Sequence, residues 1–406
     1  MKKPDLDLLL KTMVDSYEGI SDLVFAVGRP LQVESQGVLK PVRTAHNIQT
    51  LTPTQIERIA LNLMRDDPRL LSDLLRSGSC DCGYGIDDRT RFRANIFRQR
   101  GNWAIVMRRL QTETPSIHSL NLPPIFRDMA APKNGLILVT GATGSGKTTT
   151  LAALLNEINR TKAVHIVTLE DPIEFVHKHQ KSTFNQRELG LDFDSYPNGL
   201  RAALRQAPKV ILVGEMRDRS TVEIALTAAE TGHLVFSTLH TIDAGQSISR
   251  ILGMFPREEE KQLRLRLSEM LRFVVSQRLA PNIGEDRRIL LTEIMGNNLR
   301  TKEAIALGEG EGRDFYEIIQ DNATFGWMTF DQCITRAYEA EVISEETAYL
   351  YATRKGIMQR NIDQFKKRQD IATTTNVTGL RLDGDARNLE TPPLQESPEK
   401  RGFFGR

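Results

Sequence analysis

Gly141-Ala142-Thr143-Gly144-Ser145-Gly146-Lys147-Thr148 is a complete G-x-x-x-x-G-K-[ST] string, and its reading decides the fold. It follows an apolar run, GLILVTG (135–141), and opens a stretch in which Leu151, Leu154, Leu155 and Ile158 recur at helical spacing. Strand, glycine-rich loop and helix in that order are the context a phosphate-cradling loop requires. The glycines let the backbone curl so that successive N–H groups point at phosphates, and the helix N-terminus adds a favourable dipole. In this reading Lys147 reaches the β- and γ-phosphates, Thr148 sets its hydroxyl on Mg²⁺, and Thr149 completes the loop. Average composition yields such a string on the order of 0.01 times per chain of this length.

Outward from this loop, short apolar runs alternate with helical segments: HIVTLE (165–170), KVILVGE (209–215), HLVFSTLH (233–240) and RILLTEIM (288–295). Runs this apolar suit strands buried on both faces of a mostly parallel sheet, and their alternation with helices predicts a doubly wound α/β domain. Beyond Met295 the pattern is helical to about Phe365. Acidic groups stand at two predicted strand ends, the edge where such sheets bind ligands. Glu215 follows VILVG, and because Gly214 occupies the place of the usual magnesium-associated Asp, Glu215 reads as the base or water-orienting group. Glu170, Asp171 and Glu174 cluster in EDPIE, where they can hold Mg²⁺ through water or align the attacking water, although Asp-Pro turns are common by themselves. His233 and His240 flank one strand, too far apart for a single metal, and beside a phosphate loop they are candidate γ-phosphate sensors.

The N-terminal third reads differently. A helix is predicted near Leu6–Tyr17, then a strand, a turn at Gly28-Arg29-Pro30 and a second strand through Leu31 and Val33. Residues 53–76 have helical periodicity, and 90–109 read as two strands around a Gly101-Asn102 turn. Arg91, Arg93, Arg98, Arg100, Arg108 and Arg109 cluster here; most surface arginines are simply solvated, but a subset can act on phosphoryl transfer in trans. The resulting division is 1–110, a linker at 111–119, a second domain at 120–365, and a polar tail at 366–406 expected to be disordered.

The chain has 406 residues, 40% hydrophobic and 26% charged, which is ample for a buried core, and a net charge of +2. That near balance disfavours nucleic acid as the main partner. Cys80, Cys82 and Cys333 lack the spacing of a disulfide framework or a zinc site, and read as thiols in a reducing compartment. No run of about 18 apolar residues exists to span a bilayer. The first residues read as an amphipathic helix rather than a signal peptide, which makes the expected location cytoplasmic.

Taken in order, GATGSGKTTTLAA, VTLEDPIEF (167–175), ILVGEMRD (211–218) and LTAAETGHLVFSTLHT (226–241) closely resemble the PilT/PilU family of type IV pilus retraction ATPases, within the secretion-ATPase superfamily. SDLVFAVGRPLQV and FRANIFRQRG resemble the family's first domain. The resemblance covers about 1–365 and implies a PAS-like α+β N-terminal domain followed by a RecA-like P-loop ATPase domain with C-terminal helices. It implies that Glu215 is the catalytic glutamate supported by Glu174, that His233 and His240 are the His-box sensors, and that Arg93 and Arg108 reach nucleotide across domains or subunits. It further implies a homohexamer that hydrolyses ATP with Mg²⁺ at the inner face of the cell membrane. That ring would act on an inner-membrane platform protein, with a paralogous retraction ATPase as a further partner. Val24 stands where the family usually has His, a change of local contact; NNLRTKEAIALGEGEG (297–312) stands in place of the retraction signature of PilT proper, echoed only by Leu299-Arg300, so the chain fits the retraction subgroup with PilT-like and PilU-like identity both open. An assembly or type II/IV secretion ATPase is the related alternative, and a RecA-like nucleic-acid translocase the alternative from another class.

Overall fold

The computed structural model describes residues 3–42, 49–65, 67–87, 90–110, 113–285 and 287–369. The first domain is α+β. Helix α1 (Lys3–Val14) leads into β1 (Ile20–Phe25), β2 (Gln32–Ser35) and β3 (Val38–Pro41); α2 (Pro53–Met64) and α3 (Pro68–Ser77) follow; then β4 (Ser79–Asp87), β5 (Thr90–Gln99) and β6 (Asn102–Leu110). Six strands form one antiparallel sheet in the order β3-β2-β1-β6-β5-β4. Leu6, Leu10, Phe25, Ile56, Leu63, Phe92 and Ile105 close its core between sheet and helices.

Several local expectations shift. The stretch 53–76 is two helices, because Arg65 turns left-handed (φ 52°) and Asp67 precedes Pro68. A residue before proline is pushed out of the α region, and Asp67 then caps the new helix by accepting from the Arg69 N–H. Strand β4, SCDCGYGID, was not expected: its glycines and aspartates hide the alternation. The turn between β5 and β6 falls one residue early, on Arg100 and Gly101, both at positive φ. The end of the expected linker belongs to the second domain, where Ile117 is buried in the core and the Pro115 carbonyl accepts from Asn156. The last helix runs through Arg368, past the expected limit at 365, and the expected tail from 370 onward lies outside the described residues.

The second domain is α/β. Its elements are α4 (Ile125–Met129), β7 (Gly135–Thr140), α5 (Lys147–Thr161), β8 (His165–Glu170), β9 (Thr183–Glu188), α6 (Tyr196–Ala203), β10 (Val210–Val213), α7 (Arg219–Glu230), β11 (Leu234–Leu239), α8 (Ala244–Leu252), α9 (Arg257–Met270), β12 (Leu271–Pro281) and β13 (Arg288–Gly296). Seven strands order as β13-β12-β7-β11-β10-β8-β9, parallel except that β13 runs antiparallel to β12. The central strands β7, β10 and β11 are buried at every residue, as a two-sided parallel sheet demands. The sequence reading missed β9 and β12. Charged residues run from α9 straight into β12 (REEEKQLRLRLSEM, then LRFVVSQRLAP), which blurs that boundary.

Helices α10 (Leu299–Leu307), α11 (Phe315–Asp321), α12 (Phe330–Glu339), α13 (Glu345–Tyr351) and α14 (Lys355–Arg368) cover the β12–β13 end. A small third core of Leu291, Phe330, Ile334, Ile343, Met358 and Ile362 fixes them. Glu293 is buried beside this junction. It accepts from the Ala244 N–H at 2.9 Å, and burial pushes its carboxyl up to about 7, with the charge of Asp243 acting in the same direction and that of Arg278 against it. The folded state therefore holds a proton that the unfolded chain releases near 4.5, so the stability from this group is complete below about pH 4.5 and is lost as pH rises through about 7. Glu293→Gln keeps the shape and removes the titration. Its thermal midpoint is expected to decline less than the parent's between pH 5 and about pH 8, as a melting series would show.

Candidate active site

The P-loop joins β7 to α5. Gly141, Gly144 and Gly146 all have positive φ, and a β-carbon on Gly141 would fall 2.5 Å from the Gln277 carbonyl oxygen. Helix α5 opens on Gly146 without a side-chain cap, so its first N–H groups are left for a ligand, as an anion site requires. Lys147 Nζ donates to the carbonyls of Gly141 at 2.8 Å and Ala142 at 3.0 Å, which holds it across the loop. Burial draws its ammonium below the ordinary value, and the carboxylates of Glu215 and Glu174 pull it back up.

These groups share one cleft of about 510 Å³. Thr143, Gly144, Gly146, Lys147, Thr148 and Thr149 of the loop line it together with Glu170, Asp171, Glu174, Glu215 and His240. Gly141, Ala142 and Ser145 shape the loop from behind. Glu215 is held by two partners: Arg217 Nε lies 2.8 Å from Oε2 and His240 Nε2 lies 3.4 Å from Oε1. The residue before it must be small, since a β-carbon on Gly214 would meet Tyr196 Oη at 2.8 Å and the Leu169 carbonyl at 3.0 Å. An aspartate cannot stand there, and the cleft's other acids must serve any metal.

Those acids are tightly organised. Glu170 Oε1 accepts from Thr168 Oγ1 at 2.6 Å and from Gln186 Nε2 at 3.0 Å, while Gln186 Oε1 accepts from the His177 N–H at 2.8 Å. Burial nevertheless pushes Glu170 up to about 7, with the Thr168 and Gln186 bonds opposing and Glu174 adding to the rise. Glu170, Asp171, Glu174 and the Thr148 hydroxyl line one cleft, yet among the described residues no three acidic, histidine or cysteine side chains converge to hold a metal ion by themselves, so a hard cation here would depend on nucleotide phosphates and water for most of its ligands. His177 stacks on Phe184 and burial lowers it to about 4, which keeps it neutral in the cleft wall.

The structure separates the remaining candidates. Arg93 lines the cleft although it belongs to the first domain, so within one chain that domain supplies a cation to the site. Arg108, directly opposite Arg93 in the β5–β6 register, is not among the cleft residues; it pairs with Asp22 at 3.0 Å and its side chain is 72% exposed. His233 is not among the cleft residues of this chain. It sits at the start of β11, roughly 20 Å along the strand from His240, and its Nδ1 is 2.9 Å from the Ala228 carbonyl. Only one end of a parallel strand faces the ligand edge, and of the two histidines it is His240 that lies there. Sequence reasoning missed Arg217, Tyr196, Leu279 and Arg288 as cleft residues. Arg217 was visible inside ILVGEMRD, two residues past Glu215; the others come from segments that carry no motif.

Comparison with known proteins gives the same picture. A family model described as "Type II/IV secretion system protein" matches residues 87–384. The type IV pilus retraction ATPase PilT of Pseudomonas aeruginosa is 39% identical over 84% of this chain and 97% of its own. The type IV pilus ATPase PilU of the same organism is 35% identical over 86% of this chain and 88% of its own. A crystal structure of the pilus retraction motor PilT with bound ADP aligns with a TM-score of 0.77 at 39% identity, covering 89% of this chain and 99% of that one.

Proposed function

The chain belongs to the type II/IV secretion system protein family and, within it, to the PilT/PilU ATPases, and from that premise we propose that it is the ATP-hydrolysing motor of type IV pilus retraction. The observation that carries this reading is the convergence of Lys147, Thr148, Glu174, Glu215, His240 and the first domain's Arg93 on one cleft. ATP lies with its phosphates on the amides of Gly144–Thr148, and Lys147 turns from the loop carbonyls to the terminal phosphates. Thr148 would hold Mg²⁺, with Glu170, Asp171 or Glu174 reaching it through water, and the ion would supply positive charge against the phosphates. Glu215 orients the attacking water and takes its proton, with Glu174 beside it. His240, in contact with Glu215, senses whether the terminal phosphate is present. Arg93 makes the cleft depend on where the first domain stands, and turnover thereby becomes movement between the two domains. The working form is a homohexamer at the cytoplasmic face of the membrane, acting on the pilus platform protein. In that ring Arg108, exposed although paired with Asp22, would exchange that carboxylate for a neighbour's nucleotide.

Pilus number in cells lacking this protein tests the reading. Surplus, non-retracting pili are expected; bald cells would assign the chain to pilus assembly instead, and unchanged pili with DNA-stimulated turnover would favour a translocase. A second outcome concerns Arg93. Because it reaches the cleft of its own chain, rings mixed from Arg93→Ala and Glu215→Gln subunits should show no mutual rescue of ATPase activity. Recovery above the sum of the two pure variants would mean that Arg93 serves the adjacent subunit.

A further inference from the structure

The first domain touches the second at a place that the cleft chemistry does not account for. Glu188, the last residue of edge strand β9, is 6% exposed and stands beside Glu170 in the β8–β9 register. Its Oε2 accepts from the Ile173 N–H at 3.1 Å, in the middle of the acidic loop that bears Asp171 and Glu174. Its Oε1 faces the first domain: a β-carbon on Gly83 of β4 would lie only 3.0 Å away. Strand β4 is thus glycine where the domains meet, which lets its backbone come down onto a carboxylate.

Arg91 lies on the same face. It is paired with Gly85 in the β4–β5 register, two residues along β5 from Arg93, and so shares Arg93's side of the sheet. A β-carbon on Gly85 would touch Arg91 Cγ at 3.6 Å, so the side chain lies over that glycine. Its Nη1 is buried and has no hydrogen-bond partner among the described residues. Buried guanidinium nitrogens are normally satisfied, so an unbonded one calls for an explanation. The charge of Arg91 acts on both Glu188 and Glu170, lowering each against the rise that burial causes. The domains meet again where Arg69 lies over Gly190, two residues past Glu188.

We propose that Arg91 is a positioning residue: through Glu188 it couples the placement of the first domain to the acidic loop 170–174 of the cleft. This rests on the ATPase reading above and adds to it a route by which domain movement reaches the acids. With the first domain in place, Gly83 closes on Glu188 Oε1, the nearby charge of Arg91 favours the carboxylate, and Oε2 holds the Ile173 amide in the loop that bears Asp171 and Glu174. When the first domain swings away the guanidinium leaves, and the loop loses that support. Arg91 is not among the residues that line the cleft, so its effect belongs in turnover and not in ATP binding.

The test is steady-state ATP hydrolysis by the full-length protein carrying Arg91→Ala, Arg91→Lys, Glu188→Gln or Arg91→Ala with Glu188→Gln. Glu188→Gln keeps an acceptor for the Ile173 amide and removes only the charge. Each of Arg91→Ala and Glu188→Gln is expected to lower kcat about tenfold with KM for ATP within about twofold, and the double variant to fall no further than either single one. Arg91→Lys should recover part of the loss. If Arg91→Ala does not fold, the kcat and KM of Glu188→Gln decide alone. The proposal is overturned if kcat is unchanged in an otherwise active enzyme, if the two losses multiply, or if the loss appears in KM together with a lowered melting temperature, as a purely structural contact would give. Absence of hydrolysis by the parent protein would instead sink the ATPase reading itself.

Discussion

Replacing Glu215 by glutamine is expected to lower ATP turnover by about 10²- to 10⁴-fold while leaving ATP affinity nearly intact, the range that loss of a general base produces. The amide preserves volume and can still meet Arg217, which lies 2.8 Å from one carboxylate oxygen. What it cannot do is accept a proton from water. Gly214, hemmed in by Tyr196 and Leu169, leaves no alternative carboxylate one residue earlier. Glu174, another acid of the cleft, is held on a different loop. Turnover and equilibrium nucleotide binding measured on the same preparation check this together. Wild-type hydrolysis by Glu215→Gln would remove the residue from its assigned role.

Lys147→Ala should act one step earlier. The ammonium spans the loop and supplies charge-assisted hydrogen bonds to the terminal phosphates when nucleotide binds, each contributing roughly 1.5–3 kcal/mol. Loss of two such bonds corresponds to a fall in ATP affinity of at least about 100-fold. Among the described residues, the side chain's hydrogen bonds in the free protein are to the Gly141 and Ala142 carbonyls of its own loop, so its removal should leave the melting temperature almost unchanged. Titration calorimetry with ATP and a parallel melting curve separate lost binding from lost folding. A variant that binds ATP like the parent would contradict the placement of the phosphates on this loop.

How much of this was legible in the sequence follows from what kind of physics fixed each part. The phosphate loop and Glu215 were readable because their chemistry needs particular residues in a contiguous string: glycines at positive φ, a lysine at a helix start, an acid at the end of a buried strand. The parallel strands were readable because burial on both faces leaves them apolar throughout. Strand β4 was not, since its value lies in having glycines where a neighbouring domain presses on it, a tertiary fact with no local signature. The same holds for Glu188, at the end of a strand whose sequence, TFNQRE, is too polar to announce itself. His233 could not be told from His240 for the converse reason: type and sequence neighbourhood are alike, and only strand direction places one at the cleft and the other at the far end of β11. Arg93 and Arg108 look equivalent in the sequence, and only the arrangement of the domains brings one of them to the cleft and leaves the other exposed beside Asp22.

The central claim is that one chain's cleft is completed by its own first domain and does its work inside a ring. ATP hydrolysis per subunit, measured across protein concentrations that carry the sample from dissociated to assembled, tests this most directly. The account predicts low turnover per subunit at high dilution and a steep rise as rings form. Equal turnover per subunit at every concentration, including that of the separate protomer, would contradict it.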